Sequence, residues 1–351
     1  KAHFANYIER RSSVSTSTST DTELLPLLLQ LAERLGPKVR DFALDFIEQG
    51  QGKTVTGFVQ GREATEDVET DLDDLCEKII SQECQAEEPN GLRAWIISEH
   101  HPKGYGHENP NVLCQLDPFD GTDQARRSQP ICEAWYSVLS FTTADGKPLV
   151  GMCVDIIAGI LYIGDAVEKK VTRTYLRTGT TAVVAPSQAT ELTGESAGAS
   201  YKGKWRYLEP WFMMVAGYFG QERFRGITHV GSGGSFVYAL LAAGVLDAYI
   251  MPGEPTDEIR PGRAFVEAAD LCLYSVTEGG VLRLFRWTQR SRVTFFIAAP
   301  NRQLARSVVD GIWKKDEEDQ DGRGTLAKIR RFFAKVVSRP KLRRLFAVVH
   351  T

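Results

Sequence analysis

The segment Asp117-Pro118-Phe119-Asp120-Gly121-Thr122 closes an apolar run, Val112–Leu116, and its reading decides the rest of the chain. The run predicts a buried strand. Two carboxylates come after it, and Pro118 fixes the turn between them. Carboxylates gathered at the C-terminal end of a strand form a hard-oxygen site suited to Mg²⁺. The carbonyl of Phe119 points toward the same centre. Gly121 and Thr122 then open a turn or helix, whose free backbone N–H groups suit a phosphate.

Upstream, Glu23–Leu35 predicts a helix with Leu24, Leu27, Leu28 and Leu31 on one face, stopped by Gly36-Pro37. A second helix is expected over about Val39–Gln49, and Asp67–Ser81 is strongly helical. Thr54–Gly57 and Ala94–Ser98 read as strands. Downstream, Trp135–Thr142, Leu149–Asp155, Gly159–Gly164 and Thr172–Val184 predict an antiparallel meander. The second half changes character. Strands at Thr228–Val230, Ala248–Met251 and Val293–Ala299 alternate with helical stretches at Pro210–Gly217, Ser235–Ala243, Arg263–Thr277 and Gln303–Ile312. That alternation indicates an α/β unit after a more antiparallel α+β half.

The 351 residues suffice for two sub-domains. The expected division is a flexible leader at 1–21, an α+β part with the metal site at 22–185, an α/β part at 186–313, and a charged loop with a basic tail at 314–351. A transit-peptide remnant is the alternative reading of the leader. Hydrophobic content of 42% and charged content of 25% are those of a soluble globular chain. A net charge of −3 argues against a general nucleic-acid or membrane-surface binder. No apolar run reaches the roughly 18 residues of a membrane span. The six cysteines show no metal-knuckle spacing and read as reduced thiols. Lys328–Arg344 carries eight Lys/Arg and no acid, interleaved with apolar residues. It reads as a basic amphipathic helix, broken by Pro340, that docks by its apolar face on this protein or a second subunit, with binding to acidic partners or a membrane surface as the alternative.

The quoted hexapeptide resembles the Asp-Pro-apolar-Asp-Gly-Thr signature of the inositol monophosphatase family, within the lithium-sensitive magnesium phosphatases. Further stretches fall in the family's order: Thr70-Asp71, Ile97-Ser98-Glu99-His100, Gly231-Ser232-Gly233, Gly244-Val245-Leu246-Asp247-Ala248-Tyr249, Val266-Glu267-Ala268-Ala269 and Ala298-Ala299-Pro300-Asn301. The resemblance spans about residues 22–313. It implies a layered α-β-α-β-α sandwich of the sugar-phosphatase type, and a homodimer in the cytoplasm, with organellar import as the other location. It implies two or three Mg²⁺ ions, with Mn²⁺ as a substitute. Glu99, Asp117 and the Phe119 carbonyl would hold the first ion; Asp117, Asp120 and Glu267 would hold the second. Glu99 and Thr122 would orient and deprotonate the attacking water, and Asp71 would hydrogen-bond Thr122 or hold a further water-linked metal. Gly121 and Thr122 would bind the phosphate. Asp123, Gly231, Ser232, Gly233 and Met251 would meet the rest of the substrate.

The expected reaction is Mg²⁺-dependent hydrolysis of a small phosphate monoester of a polyol, sugar or inositol. A 3′-nucleotide bisphosphate phosphatase or fructose-bisphosphatase-like enzyme is the alternative. A catalytically weak homologue that binds a phosphorylated ligand is a further one. The chain departs from the family at three places. Glu267 stands for an Asp, and Asp257 or Asp270 is the substitute ligand if a loop differs. His100 stands for a Glu; with His101 and His107 it reads as solvated loop histidine and not as a zinc site. Met251 stands for the Glu of inositol-specific members, which loosens the inositol assignment. Lys202–Phe224 and Glu254–Gly262 read as insertions, with Arg126, Arg127 and Arg260 as candidate anion contacts.

Overall fold

Strands buried at nearly every position, as over Tyr136–Thr143 and Ala248–Glu254, need a sheet with both faces covered, and the chain builds two such sheets. The computed structural model describes residues 18–58, 68–125, 135–200, 215, 218, 226–231, 233–277, 280–288 and 293–318. Residues 1–17 of the leader, Arg126, Arg127, Ser232, Gly279, nearly all of Lys202–Phe224, and the basic tail lie outside them, while the expected leader residues 18–21 and charged-loop residues 314–318 are helical.

A long helix α1 (Thr18–Glu48) leads into a hairpin of β1 (Val55–Phe58) and β2 (Val68–Thr70), then into helix α2 (Asp71–Ala86). Strands β3 (Ala94–Ser98), β4 (Tyr105–Gly106), β5 (Val112–Asp120), β6 (Tyr136–Thr143), β7 (Pro148–Asp155), β8 (Ile160–Asp165), β9 (Lys170–Tyr175) and β10 (Thr180–Val184) form one sheet in the order 10-9-8-7-6-5-3-4. Within it only β3 and β5 run parallel. A four-residue helix α3 (Thr122–Ala125) comes after β5.

The second sheet has β11 (Ala197–Ala199), β12 (Thr228–Val230), β13 (Ala248–Glu254), β14 (Cys272–Val276), β15 (Leu282–Leu284) and β16 (Val293–Ala299) in the order 12-11-13-16-14-15. Its helices are α4 (Val237–Ala242), α5 (Thr256–Ile259), α6 (Arg263–Ala268) and α7 (Arg302–Glu318). Helices α1 and α2 cover one face of the large sheet, α4 and α6 lie between the sheets, and α7 covers the far face of the small one. This is the expected α-β-α-β-α layering.

Two expectations fail. Gly36-Pro37 does not stop the first helix, which runs through both residues. A mid-helix proline costs about 3 kcal/mol. Against it stands one buried stripe, Leu28, Leu31, Leu35, Val39 and Ala43, each large member worth about 1.5–3 kcal/mol. The missing side chain at Gly36 lets α1 approach Leu161 of β8. Arg263–Thr277 is not one helix either. It ends at Ala268, Asp270 takes a left-handed φ of 50°, and Cys272–Val276 joins the sheet between β16 and β15.

Gly262, in the 3₁₀ turn Arg260–Gly262 between α5 and α6, packs its backbone on the Tyr238 ring. A Cβ there would lie 2.2 Å from a ring carbon. Gly262→Ala is expected to destabilise the fold by about 1–3 kcal/mol through overpacking, read as a lower urea midpoint at unchanged slope.

Candidate active site

In a regular strand Asp117 and Asp120 would face opposite sides of the sheet. The pairing of β5 with β6 slips between them: Asp117 lies opposite Val138, but Asp120 lies opposite Tyr136. Three steps on one strand match two on the other, which is a β-bulge, and the extra residue re-aims the side chains beyond it. Pro118 suits the bulge because it has no N–H to give to the ladder. Phe119 anchors it from below, 1% exposed in the core with its ring near Trp135.

The bulge brings Asp117 and Asp120 together with Glu258 of α5, one oxygen from each lying within 4.8 Å of the others. Among the described residues no other trio of His, Cys, Asp and Glu closes in this way. Asp117 Oδ1 and Asp120 Oδ2 are buried without a hydrogen-bond partner. Burial pushes both acids well above the usual carboxylate range, and the charges of Glu258 and Glu99 push in the same direction. Backbone N–H groups of Ser235 and Phe236 donate to Asp120 and offset part of this. The Ser235 hydroxyl donates to the Glu258 carbonyl at 3.0 Å and so ties α5 to that segment. Glu254 ends β13 just before α5, buried, accepting the Tyr249 and Tyr238 hydroxyls at 3.0 and 3.3 Å. Buried, orphaned carboxylate oxygens with hard donors fit a Mg²⁺ ion.

Gly121 has a φ of 113°, which favours glycine, and turns the chain into α3. The Thr122 hydroxyl lies 2.9 Å from both the Phe119 carbonyl and Asp73 Oδ1, and donates its one hydrogen to either. Asp73, not Asp71, is therefore the acid behind Thr122. Its other oxygen accepts the Thr70 N–H and hydroxyl at 2.8 and 2.7 Å in a capping box. Asp71 instead accepts the Thr54 N–H at 3.1 Å.

Glu267 does not reach the trio. Ala264, Phe265 and Ala268 of α6 turn inward, so helical spacing turns Glu267 out. There it pairs with Lys169 at 2.5 Å. Asp270 shares that lysine, and Asp257 lies outside the trio, lining a cavity of about 70 Å³ with Glu99, Gln115 and Arg260. Met251 is 2% exposed in the core beside the aromatics of β16, not open to a substrate. Gly231 and Gly233 flank the approach to α4, and the Asp123 side chain lies outside the described residues. Glu99 comes directly after β3, one oxygen 3.5 Å from His100 Nε2. His100 is not solvated: its side chain is 1% exposed. Burial opposes its protonation, but Asp73, Glu99 and Glu69 outweigh that and raise it to about 9.

Sequence reasoning missed Glu258, Asp73, Gly234 and Ser235. Signals existed for two of them. Asp257-Glu258 lies just past an apolar strand as Asp117 does, and Thr70…Asp73 has capping-box spacing.

No protein-family model matches the chain, and a search of curated proteins returned no match. Solved structures do match. An inositol monophosphatase from Anabaena (Nostoc) sp. PCC 7120 is 15% identical with a TM-score of 0.58, over 83% of this chain and 96% of that one. Extragenic suppressor protein suhB from Bartonella henselae is 13% identical with a TM-score of 0.58, over 82% and 99%. A staphylococcal inositol monophosphatase II, solved with 2′-AMP bound, is 16% identical with a TM-score of 0.56, over 83% and 95%. The chain has the inositol monophosphatase fold.

Gly234 sits against Asp120 at a φ of 150°, where a Cβ would fall 2.1 Å from Oδ2. Gly234→Ala is expected to displace that carboxylate and weaken Mg²⁺ binding about 10–100-fold, measured by calorimetric titration.

Proposed function

We propose that this chain is a Mg²⁺-dependent phosphomonoesterase acting on a small phosphorylated metabolite. The observation that supports it is the convergent trio of buried Asp117 and half-buried Asp120 and Glu258, with a Thr122–Asp73 pair on the same turn. Asp117, Asp120, Glu258, Glu99 and the Phe119 carbonyl would hold the ions, two or more in number and replaceable by Mn²⁺. When bound, such ions cancel phosphate charge and lower the pKa of an attacking water.

The chain's own groups do the rest. Gly121 and Thr122 offer backbone N–H groups to the phosphate oxygens. Asp73 is held by Thr70, and its free oxygen accepts the Thr122 hydrogen. That leaves the Thr122 oxygen lone pairs to take a hydrogen bond from the attacking water and aim it. Glu99, directly after β3, is the base in this reading. The bulge and the Gly234 contact keep Asp117 and Asp120 on one side.

The reading is not specific for inositol, because the buried thioether of Met251 makes no hydrogen bonds to ring hydroxyls. The 2′-AMP bound to the staphylococcal neighbour favours including nucleotide monophosphates among the substrates tested. The same reading carries a homodimer and a cytoplasmic location, the first checked by sedimentation.

Phosphate release from a panel of inositol, sugar and nucleotide monophosphates should require Mg²⁺ and vanish with EDTA. Turnover in EDTA, or turnover that survives Asp117→Asn, contradicts the reading. Asp73→Asn should lower kcat about 10²–10⁴-fold, whereas Asp71→Asn should leave it near wild type. The reverse order would restore Asp71 to the role expected from the sequence.

A further inference from the structure

One buried group beside the trio has no part in the reaction above. The His100 ring lies between Glu69 on one side and Asp73 and Glu99 on the other. Nδ1 is 3.6 Å from Glu69, and Nε2 is 3.8 Å from Asp73 and 3.5 Å from Glu99. The ring is 1% exposed, and neither nitrogen makes a hydrogen bond. The carboxylates are themselves 15%, 0% and 18% exposed, so all three are largely out of water. Carboxylates withdrawn from water recruit a cation or a donor. Here the ring faces all three.

The ring and an ion exclude each other at this place. Metal–oxygen bonds for Mg²⁺ are about 2.1 Å, so an ion that joins Glu69 to Asp73 or Glu99 needs the volume the ring fills. Nor does the ring sit as a ligand. Nε2, Asp73 and Glu99 do not close to within 4.8 Å of one another, as Asp117, Asp120 and Glu258 do.

We propose that His100 is the resident occupant of a would-be additional cation site, so that Glu69 and Asp73 are served by a side chain, Glu99 is shared between that side chain and the ions of the centre, and no further ion is loaded. This rests on reading the trio as the metal centre. Its consequence is a fixed metal count, set by one residue. His100→Glu removes the occupant and adds a ligand, opening a four-carboxylate pocket next to the centre.

The test counts Mn²⁺ bound to the full chain by electron paramagnetic resonance, with circular dichroism confirming the fold of each variant. His100→Glu should bind one more ion per chain than wild type, and His100→Gln the same number as wild type. A folded His100→Glu with an unchanged count overturns the inference. A count one lower in His100→Gln also overturns it, because the ring would then be a ligand. Anomalous scattering from Mn²⁺ in wild-type crystals avoids any folding question: no peak between Glu69, Asp73 and Glu99 is expected, and a peak there overturns the inference. Wild type that binds no Mn²⁺ at all sinks the metal centre itself, and so separates that failure from one confined to His100.

Discussion

Asp117, Asp120 and Glu258 repel one another at a place where Asp117 is buried and the other two are half-buried. This repulsion is the constraint on which the site depends. Left alone, such acids would separate or take up protons, and the upward shift of Asp117 and Asp120 expresses that tendency. The fold holds them together from three directions. The bulge at Pro118-Phe119 turns two of them to one side. The Gly234–Phe236 segment closes against Asp120. The Ser235 bond to the Glu258 carbonyl fixes the third. A cation would relieve the repulsion, and under the proposed function a phosphate monoester would then meet positive charge. Local strain of this kind is stored where function needs it.

The layers explain how distant segments converge. The large sheet delivers Asp117 and Asp120 at the end of β5 and Glu99 after β3, its parallel neighbour. The small sheet delivers Glu258 just after β13. Helices α4 and α6 lie between the sheets and set their separation, with Phe265 against the backbones of Gly151 and Gly164. The acidic trio is thus a joint product of both halves of the chain.

Most of the fold was legible because periodicity dominates it. The strands at 94–98, 228–230 and 293–299 match their predicted spans, and the meander matches within two residues at most ends. Local punctuation misled where burial was stronger, as at Gly36-Pro37. The convergence of Asp117 and Asp120 was legible because the two acids lie three residues apart in one segment. Glu258 was not, because the spacing to Gly279-Gly280 drew the alignment to Glu267, and only the inward face of α6 shows that residue pointing away. Asp71 was misread by two positions: the capping-box spacing marks Asp73, but its contact with Thr122, 49 residues away, shows only in three dimensions. His100 looked like a loop histidine because nothing local reveals three acids gathered around it.

The central claim is that the trio is held against its own repulsion for a metal. Thermal unfolding of wild type and Asp120→Asn, each in EDTA and in Mg²⁺, tests it most directly. Binding to the folded state alone stabilises by about 2.7 kcal/mol at a hundredfold excess over Kd. Wild type should therefore gain Tm with Mg²⁺. Asp120→Asn should melt at or above wild type in EDTA, having lost a repelling charge, and gain little from Mg²⁺. A wild-type Tm indifferent to Mg²⁺, or an Asp120→Asn variant that melts well below wild type in EDTA, would contradict the account.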